Sequence, residues 1–495
     1  MTTAIERLTV SVTLVRPGEK KPRVFLARRR ADRSFLGGFH ACFAGAVEPG
    51  DRRQHSDADA TPGLDFALRF AALRETFEES GLLITDAGIE RHDTDDRPPE
   101  LLTDPDQRLA TSRLEPLGWW QSPGTFDSSF TTLFFGLRLT EDEGRAVDDL
   151  DDGLAPSEFD DGGWISPTDA LGAWNRGDLY TTRPLRAILA AVADAGPNPK
   201  ELPAPDLLGP SKNAPGTSVA DEFCGGFSVL PLKTPTLPPA THTNCVVAGR
   251  RRYVVVDPGA TGDELAPLLD HIATRRDDGD TCRGVVLTHH HTDHVDGIDA
   301  VAATVDAPII AHAATFDRLP NIAHRTRPIG DGDRLDIDHP GPLRILHTPG
   351  HAPGHIALLQ PDIDLLVGGD LVAGRGTIIV DPPDGDMGDY LASLERVRRL
   401  SLRALLPSHG QLMTNPEQVV DDYIDHRHRR EQRVVDALRE LQPATAGELV
   451  PTVYEDAPKA VWPLAQRSLL AHLIHLVDTG RAERDGDLFR ITIPP

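Results

Sequence analysis

Four metal-ligand-type side chains fall within six positions of one another in the run THHHTDHVDG (288–297), which continues directly from the apolar segment GVVLT (284–288). His289, His291, Asp293 and His294 thus form an H-x-H-x-D-H pattern at a strand-to-loop transition, where a rigid sheet can hold donors over a cleft. Three further donors also follow apolar runs: His351 in TPGHAPGH, Asp370 in VGGDLV and His409 in LLPSHG. This pattern restricts the chain to folds that gather several strand ends along one edge. Imidazole together with carboxylate suits zinc or another divalent first-row ion, and no thiolate is needed. Seven donors are too many for one tetrahedral ion and suit two ions that share a carboxylate. We assign His289, His291 and His351 to the first ion and Asp293, His294 and His409 to the second, with Asp370 bridging. Two such ions about 3.5–4 Å apart can acidify one water while polarising a substrate oxygen, and Asp293 is expected to be catalytic as well as a ligand. His290 should point away from the cluster, and His347 and His355 should support or pack around it.

At 495 residues the chain suggests about three domains, at ~150 residues each. The stretch 195–218, AGPNPKELPAPDLLGPSKNAPGTS, holds six prolines and reads as a semi-rigid linker. The expected division is 1–195, a linker over 196–222, a domain over 223–415 and a small domain over 416–495. Before the linker, LTVSVTLV (8–15), RVFLAR (23–28) and FTTLFFGLRL (130–139) read as strands, with an amphipathic helix over roughly 64–83. Residues 140–163 are strongly acidic and read as an exposed loop. Beyond the linker, YVVVD (253–257), GVVLT, LRILHT (343–348) and DLLVGGD (364–370) alternate with helical stretches, which indicates an α/β arrangement. Long helical patterns at 417–441 and 462–479 then lead to a hairpin-like tail, ERDGDLFRIT.

Near the N-terminus, RETFEESGL (74–82) places Glu75, Glu78 and Glu79 at i, i+3 and i+4, on one helix face. Adjacent like charges repel, and a bound divalent cation such as Mg2+ or Mn2+ would relieve that repulsion. Gly81 should end the helix. An ordinary exposed acidic helix is the plainer reading of the same three residues.

The formal charge of −25, from 51 Lys+Arg against 76 Asp+Glu, argues against a general polyanion binder. Residues 416–495 carry 10 Lys+Arg against 14 Asp+Glu, and Arg467 is the one basic residue among Lys and Arg in 462–479. The run HRHRREQR (426–433) is the basic exception. It reads equally as a solvated helix face, offset by Asp421, Asp422 and Asp425, or as an RNA contact. The four cysteines form no CxxC pair, so neither a disulfide framework nor a thiolate site is expected. The N-terminal run lacks a secretory pattern and no segment is apolar enough to span a bilayer, so a cytoplasmic location is expected.

The H-x-H-x-D-H run, preceded by Asp257 in VDPG and followed by PGH, GGD and SHG, resembles the metallo-β-lactamase superfamily over roughly 223–415. The resemblance implies an αββα sandwich with its metals at one sheet edge. GDMGDYLASLERV before LLPSHG, and DYIDHRHRREQRVVDAL after it, look like the β-lactamase-like protein 2 branch. That branch carries a small winged-helix-like C-terminal domain, and its animal members are endoribonucleases on single-stranded RNA. RETFEESGL is similar to the second half of a Nudix box, with Thr76 in place of an aliphatic residue. Gly45 and Glu48 fit the upstream half, Asp51 stands where a final Glu is expected, and an insertion of about 15 residues separates the halves. With its flanks this segment looks like the peroxisomal coenzyme A diphosphatase branch over most of 5–190. It implies an α/β/α sandwich, Mg2+-dependent diphosphate cleavage, Glu78 and Glu79 as ligands, Glu75 as ligand or general base, and Arg74 as the residue orienting a glutamate.

The expected function is therefore a two-site hydrolase acting on small molecules. One site would cleave an ester, thioester, lactone or phosphodiester; the other would cleave a nucleoside-diphosphate-linked metabolite such as coenzyme A. The alternative is a single-stranded RNA endonuclease whose first domain senses a nucleotide without catalysis.

Overall fold

The computed structural model describes residues 7–52, 63–93, 102, 109–122, 130–205, 220–374 and 376–492. The chain divides into two compact units, Met1–Ser228 and Val229–Pro495.

In the first unit the strand Arg7–Arg16 is central. It runs parallel to Phe130–Arg138 over nine paired positions and antiparallel to Arg23–Arg29 and Phe43–Ala46. Period-two alternation sorts its neighbours between two cores. Val10, Val12, Leu14, Phe25 and Ala27 face Leu68, Ala71 and Ala72 of the helix Gly63–Ser80. Val15, Val24 and Leu26 face the helices Pro167–Asn175 and Arg183–Asp194, through Trp174, Leu185, Ile188 and Leu189. The result is a sheet between helices on both faces, the α/β/α sandwich that the Nudix resemblance implies.

Three expectations need adjustment here. The glutamate helix stops at Ser80, short of the rough limit of 83 but where Gly81 is expected to end it: Gly81 takes φ +68° and Leu82–Thr85 leaves to pair with Gly88–Arg91. The acidic stretch 140–163 is not a loop. It forms the helix Glu141–Ala146, closed by a Thr140–Glu143 capping box, and then the strand Phe159–Ile165, which pairs with Arg23–Arg29. Its charges lie outward while Val147, Leu150 and Phe159 are buried, so net charge concealed a local apolar pattern. Finally, part of the proline-rich segment packs: Leu202 is buried and its N–H donates to Glu115 Oε2 at 2.7 Å. Residues 206–219 of that segment, 53–62 of the insertion and 126–129 ahead of Phe130 lie outside the described residues.

The second unit holds two sheets. One orders Phe227–Lys233, His242–Ala248, Arg252–Val256, Thr281–Val286, Ile309–Ala311 and Thr326–Pro328, and its last three pairings are parallel. The other orders Arg334–Leu335, Leu343–His347, Ile356–Gln360, Leu365–Gly369 and Ala404–Pro407, with its final pair parallel. Parallel neighbours put their C-terminal ends on one edge, which is where the donors follow. Backbone bonds join the two sheets at that edge: Asn244 N–H to Ser408 O at 2.7 Å and Ile356 N–H to Thr288 O at 2.9 Å.

The helix Met387–Arg398, capped by Asp386, covers the second sheet through Met387, Tyr390 and Leu394. The helix Pro416–Leu441 follows, and Val420 and Ile424 join that same core. Its C-terminal half, with Val434 and Leu438, packs instead on the helices Ala446–Val453 and Trp462–Asp478 and on the hairpin Ala482–Asp485/Leu488–Ile491, centred on Leu449, Leu469 and Phe489. Among the described residues no helix is long and apolar enough to cross a membrane.

Candidate functional site

Each histidine-edge donor leaves the end of an apolar strand or the turn just beyond it. His289 follows Thr281–Val286, Asp370 follows Leu365–Gly369, and His409 follows Ala404–Pro407. His291 precedes the short helix Thr292–Val295, which carries Asp293 and His294 back over the edge. Gly369, at φ +58°, lets the chain turn into Asp370, and a Cβ there would lie 2.5 Å from His355 Nε2.

The seven predicted donors converge. His289 Nε2 lies 2.9 Å from His291 Nδ1, and His351 Nε2 lies 3.3 and 3.0 Å from those two atoms. Three nitrogens bound to one tetrahedral ion at ~2.0–2.1 Å would be ~3.3 Å apart, so this spacing suits a common cation. Across the cleft, Asp293 Oδ2 lies 3.8 Å from His294 Nε2 and 3.6 Å from His409 Nε2. Asp370 divides its oxygens between the two groups. Its Oδ2 is 3.5 Å from His351 Nε2, while Oδ1 is 3.5 Å from His294 Nε2 and 3.4 Å from His409 Nε2. Three sets meet the spacing of a shared ion: His289–His291–His351, His289–His294–Asp370 and Asp293–His294–His409.

Outer partners fix which ring nitrogen faces the cleft. Asp257 accepts from His294 Nδ1 at 2.9 Å and also from Thr288 N–H and Oγ1, at 2.8 and 2.6 Å. His351 Nδ1 donates to Ile379 O at 2.7 Å, and His409 Nδ1 to His242 O at 2.9 Å. Each bond leaves the opposite nitrogen as a lone-pair donor toward the centre. His294 Nε2 is fully buried and has no hydrogen-bond partner. A buried polar atom left in that state costs free energy, and a divalent cation would satisfy it; the donor set fits the ions that the sequence implies.

The electrostatics agree with that fit. Burial, then the neighbouring imidazoles His351 and His290, push His291 down to about 3, so it stays neutral. For His294 burial opposes charge, but the carboxylates of Asp370, Asp257 and Asp293 raise it to about 10. Asp370 is likewise resisted by burial yet held well below the usual carboxylate range by His409 and His294. Protons on these imidazoles stand in for positive charge that a metal would supply.

The neighbouring histidines lie where the sequence places them. His290 turns aside to Asp384 Oδ2 at 3.1 Å, and Asp384 also accepts from Arg318 Nε at 2.8 Å. His355 is fully buried; its Nδ1 lies 3.0 Å from Thr348 O and its Nε2 accepts the Asp370 N–H at 3.0 Å, which fixes the backbone at Asp370. His347 lies 2.9 Å from Pro353 O and stacks on His312. The outer roles of Asp257, Thr288 and the Ile379 carbonyl are absent from the sequence reading. VDPG signalled Asp257 only as a motif, and a backbone carbonyl carries no sequence signal.

The glutamate helix is arranged differently. Arg74 gathers the carboxylates: its Nε donates to Asp51 Oδ1 at 2.9 Å, and one Nη donates to Glu75 Oε1 and Glu78 Oε2 at 2.9 and 3.0 Å. Arg74 thus bonds to both Glu75 and Glu78, and Asp51, 2% exposed, is its buried partner. Glu79 turns elsewhere and accepts the Ala44 N–H at 2.8 Å. The absence of a side chain at Gly45 makes room for Glu75, since a Cβ would lie 2.0–2.2 Å from its carboxylate. Among the described residues the three glutamates do not bring three ligand atoms within 4.8 Å of one another. Burial raises Glu75 to about 7 against the pull of Arg74, and it raises Glu78 and Glu79 as well.

Comparison with known proteins places these features. The family profile of the metallo-beta-lactamase superfamily matches residues 238–409, and that of the beta-lactamase associated winged helix domain matches 445–490. A beta-lactamase-like protein 2 homolog of Drosophila melanogaster is 28% identical over 263 residues, covering 49% of this chain and 83% of that protein. An atrochrysone carboxyl ACP thioesterase of Aspergillus chevalieri is 30% identical over 249 residues, 46% of this chain and 74% of that protein. The solved structure of a beta-lactamase domain protein from Burkholderia ambifaria shares the fold, with a TM-score of 0.50 at 21% identity, covering 57% of this chain and 96% of that one.

Proposed function

The chain belongs to the metallo-β-lactamase superfamily, whose members are hydrolases, and from that premise we propose that its second unit is a binuclear metallohydrolase acting on a thioester. One observation carries the binuclear reading: the two oxygens of Asp370 face opposite ligand groups, Oδ2 toward His351 and Oδ1 toward His294 and His409. The thioester class is favoured by the relative named as an acyl-carrier-protein thioesterase. Zinc or another divalent ion bound there would supply an acidified water and polarise the carbonyl. The protein's own part is to hold His289, His291 and His351 neutral, keep Asp370 ionised between the two groups, and present Asp293. Asp293, only partly buried, would hold the second ion through Oδ2, which leaves its other carboxylate oxygen to take the proton released as water adds to the carbonyl and to return it as the thiol leaves.

For the first unit, the Nudix-like glutamate helix supports a separate proposal: hydrolysis of a nucleoside-diphosphate-linked metabolite, such as coenzyme A, with Mg2+ or Mn2+. Its carboxylates are gathered on Arg74, so a cation would have to displace those ion pairs to bind.

The basic run lends the RNA alternative little support. Arg427 of the basic run is buried, Arg430 and Arg433 pair with Asp456, and Arg467 of the helix Trp462–Asp478 pairs with Asp381. Cations already neutralised have little counterion release to offer a phosphate backbone.

The test is thiol release from an acyl-coenzyme A by the metal-loaded protein. Asp293→Ala should abolish release, while Glu78→Gln should leave it intact and remove any diphosphate cleavage of the same compound. Loaded protein that releases no thiol from acyl-coenzyme A or acyl-pantetheine, yet cuts single-stranded RNA, would overturn the reading.

A further inference from the structure

The helix Pro416–Leu441 lies between the two segments matched by family profiles, yet its side chains reach behind the metal-ligand loops. Arg427, 2% exposed, donates through one Nη to Thr377 Oγ1 at 3.0 Å and to the Ile378 carbonyl. Ile378 immediately precedes Ile379, whose carbonyl takes the His351 Nδ1 proton. One turn earlier, the Tyr423 hydroxyl accepts the Ala373 N–H at 2.8 Å and donates to Ala373 O at 3.1 Å. The Arg427 guanidinium also lies 5.1 Å from the ring centroid of Tyr390, and the Tyr390 hydroxyl donates to Leu371 O at 2.7 Å, the residue after Asp370.

No carboxylate among the described residues pairs with Arg427. Its charge is buried against backbone carbonyl, hydroxyl and ring alone. A lone buried cation is a costly way to fill a core position, and an apolar side chain of similar volume would serve stability better. What Arg427 provides instead is one Nη bonded to two successive residues, Thr377 and Ile378, of the segment that sets His351.

We propose that Arg427 and Tyr423 are positioning residues of the metal centre: they fix the segments following Asp370 and carrying the His351 acceptor, and so set metal affinity from outside the ligand shell. This inference rests on the binuclear reading above. Loss of groups that orient ligands typically weakens metal binding by ~10–100-fold, and an effect one residue removed belongs at the lower end.

The test titrates the metal-free full chain with Zn2+ against a competing chelator, alongside its unfolding temperature and the absorption spectrum of the Co2+-loaded form. Arg427→Gln should weaken Zn2+ binding about tenfold and shift the Co2+ bands. Tyr423→Phe should do so by a smaller factor, and Arg427→Lys should recover part of the loss. Arg430→Gln, which alters the same helix where it meets Val453 and Asp456, should leave both readouts unchanged. Should Arg427→Gln fail to fold, Tyr423→Phe carries the test, since it deletes one oxygen. Wild-type Zn2+ affinity and Co2+ spectrum in folded Arg427→Gln or Tyr423→Phe would overturn the proposal, as would an equal loss in Arg430→Gln. A wild-type protein that takes up no Zn2+ would instead defeat the metal reading itself.

Discussion

The histidine edge of the second unit and the glutamate helix of the first are both clusters of charged or ligating groups, but they manage repulsion in opposite ways. At the histidine edge His294, His351 and His409 are each held by a partner behind the ring, so lone pairs meet in front and a buried nitrogen is left unsatisfied. At the glutamate helix an arginine sits among the carboxylates and satisfies them from within. The first arrangement is incomplete without a cation. The second already contains one. Ligand-type residues on one face therefore do not by themselves make a metal site; what matters is where their counter-charges lie.

That contrast can be broken, and the largest effect is expected at Asp370. Asp370→Ala should reduce metal-dependent hydrolysis by more than the ~100-fold that loss of an outer partner costs, with one equivalent of metal lost on elemental analysis. Retention of two ions would remove the bridging role.

Next comes Arg74→Met, which strips the counter-charge from the buried Asp51 and should cost about 3–5 kcal/mol by denaturant unfolding of the first-unit transition. If added Mg2+ restored that stability, the cation could replace the arginine and the two regions would be less different than drawn. Asp257→Asn should weaken metal binding by ~10–100-fold at nearly unchanged fold, because Asn tolerates its φ of +52° but cannot accept all three bonds as an anion.

A smaller effect concerns pH. Glu75, raised in the fold to about 7, binds its proton more tightly folded than unfolded, so the first unit is favoured at low pH. That contribution is lost as pH rises from the ordinary carboxylate range through 7. Melting curves from pH 5 to 8 should show the decline, Glu75→Gln should flatten it, and Mg2+ should stabilise the wild type at pH 8 more than at pH 5. The least change is expected in single-stranded RNA binding, which should be weak and only slightly dependent on salt, because Arg427 is buried and Arg430, Arg433 and Arg467 are paired, which leaves Arg429 as the exposed arginine of the run.

Much of the fold was legible because its signals are local. Val10, Val12 and Leu14 alternate as a strand must, and the helical patterns at 417–441 and 462–479 become the helices Pro416–Leu441 and Trp462–Asp478. The acidic stretch 140–163 was misread, since charge density outweighed Val147, Leu150 and Phe159, three apolar residues spaced too widely to form a periodic run. The run HRHRREQR was open to two surface readings, and Arg427 took neither.

The sequence by itself carried the seven candidate donors and their order, because imidazole and carboxylate are ligand-type groups wherever they stand and a donor after an apolar run is fixed to a strand end. Only the tertiary structure decided which Asp370 oxygen faces which group, that Asp257 and the Ile379 carbonyl stand behind the rings, and that Arg427 turns inward. Those outcomes depend on segments tens to hundreds of residues apart meeting at set angles, and on backbone atoms that every residue shares, so no local pattern could carry them.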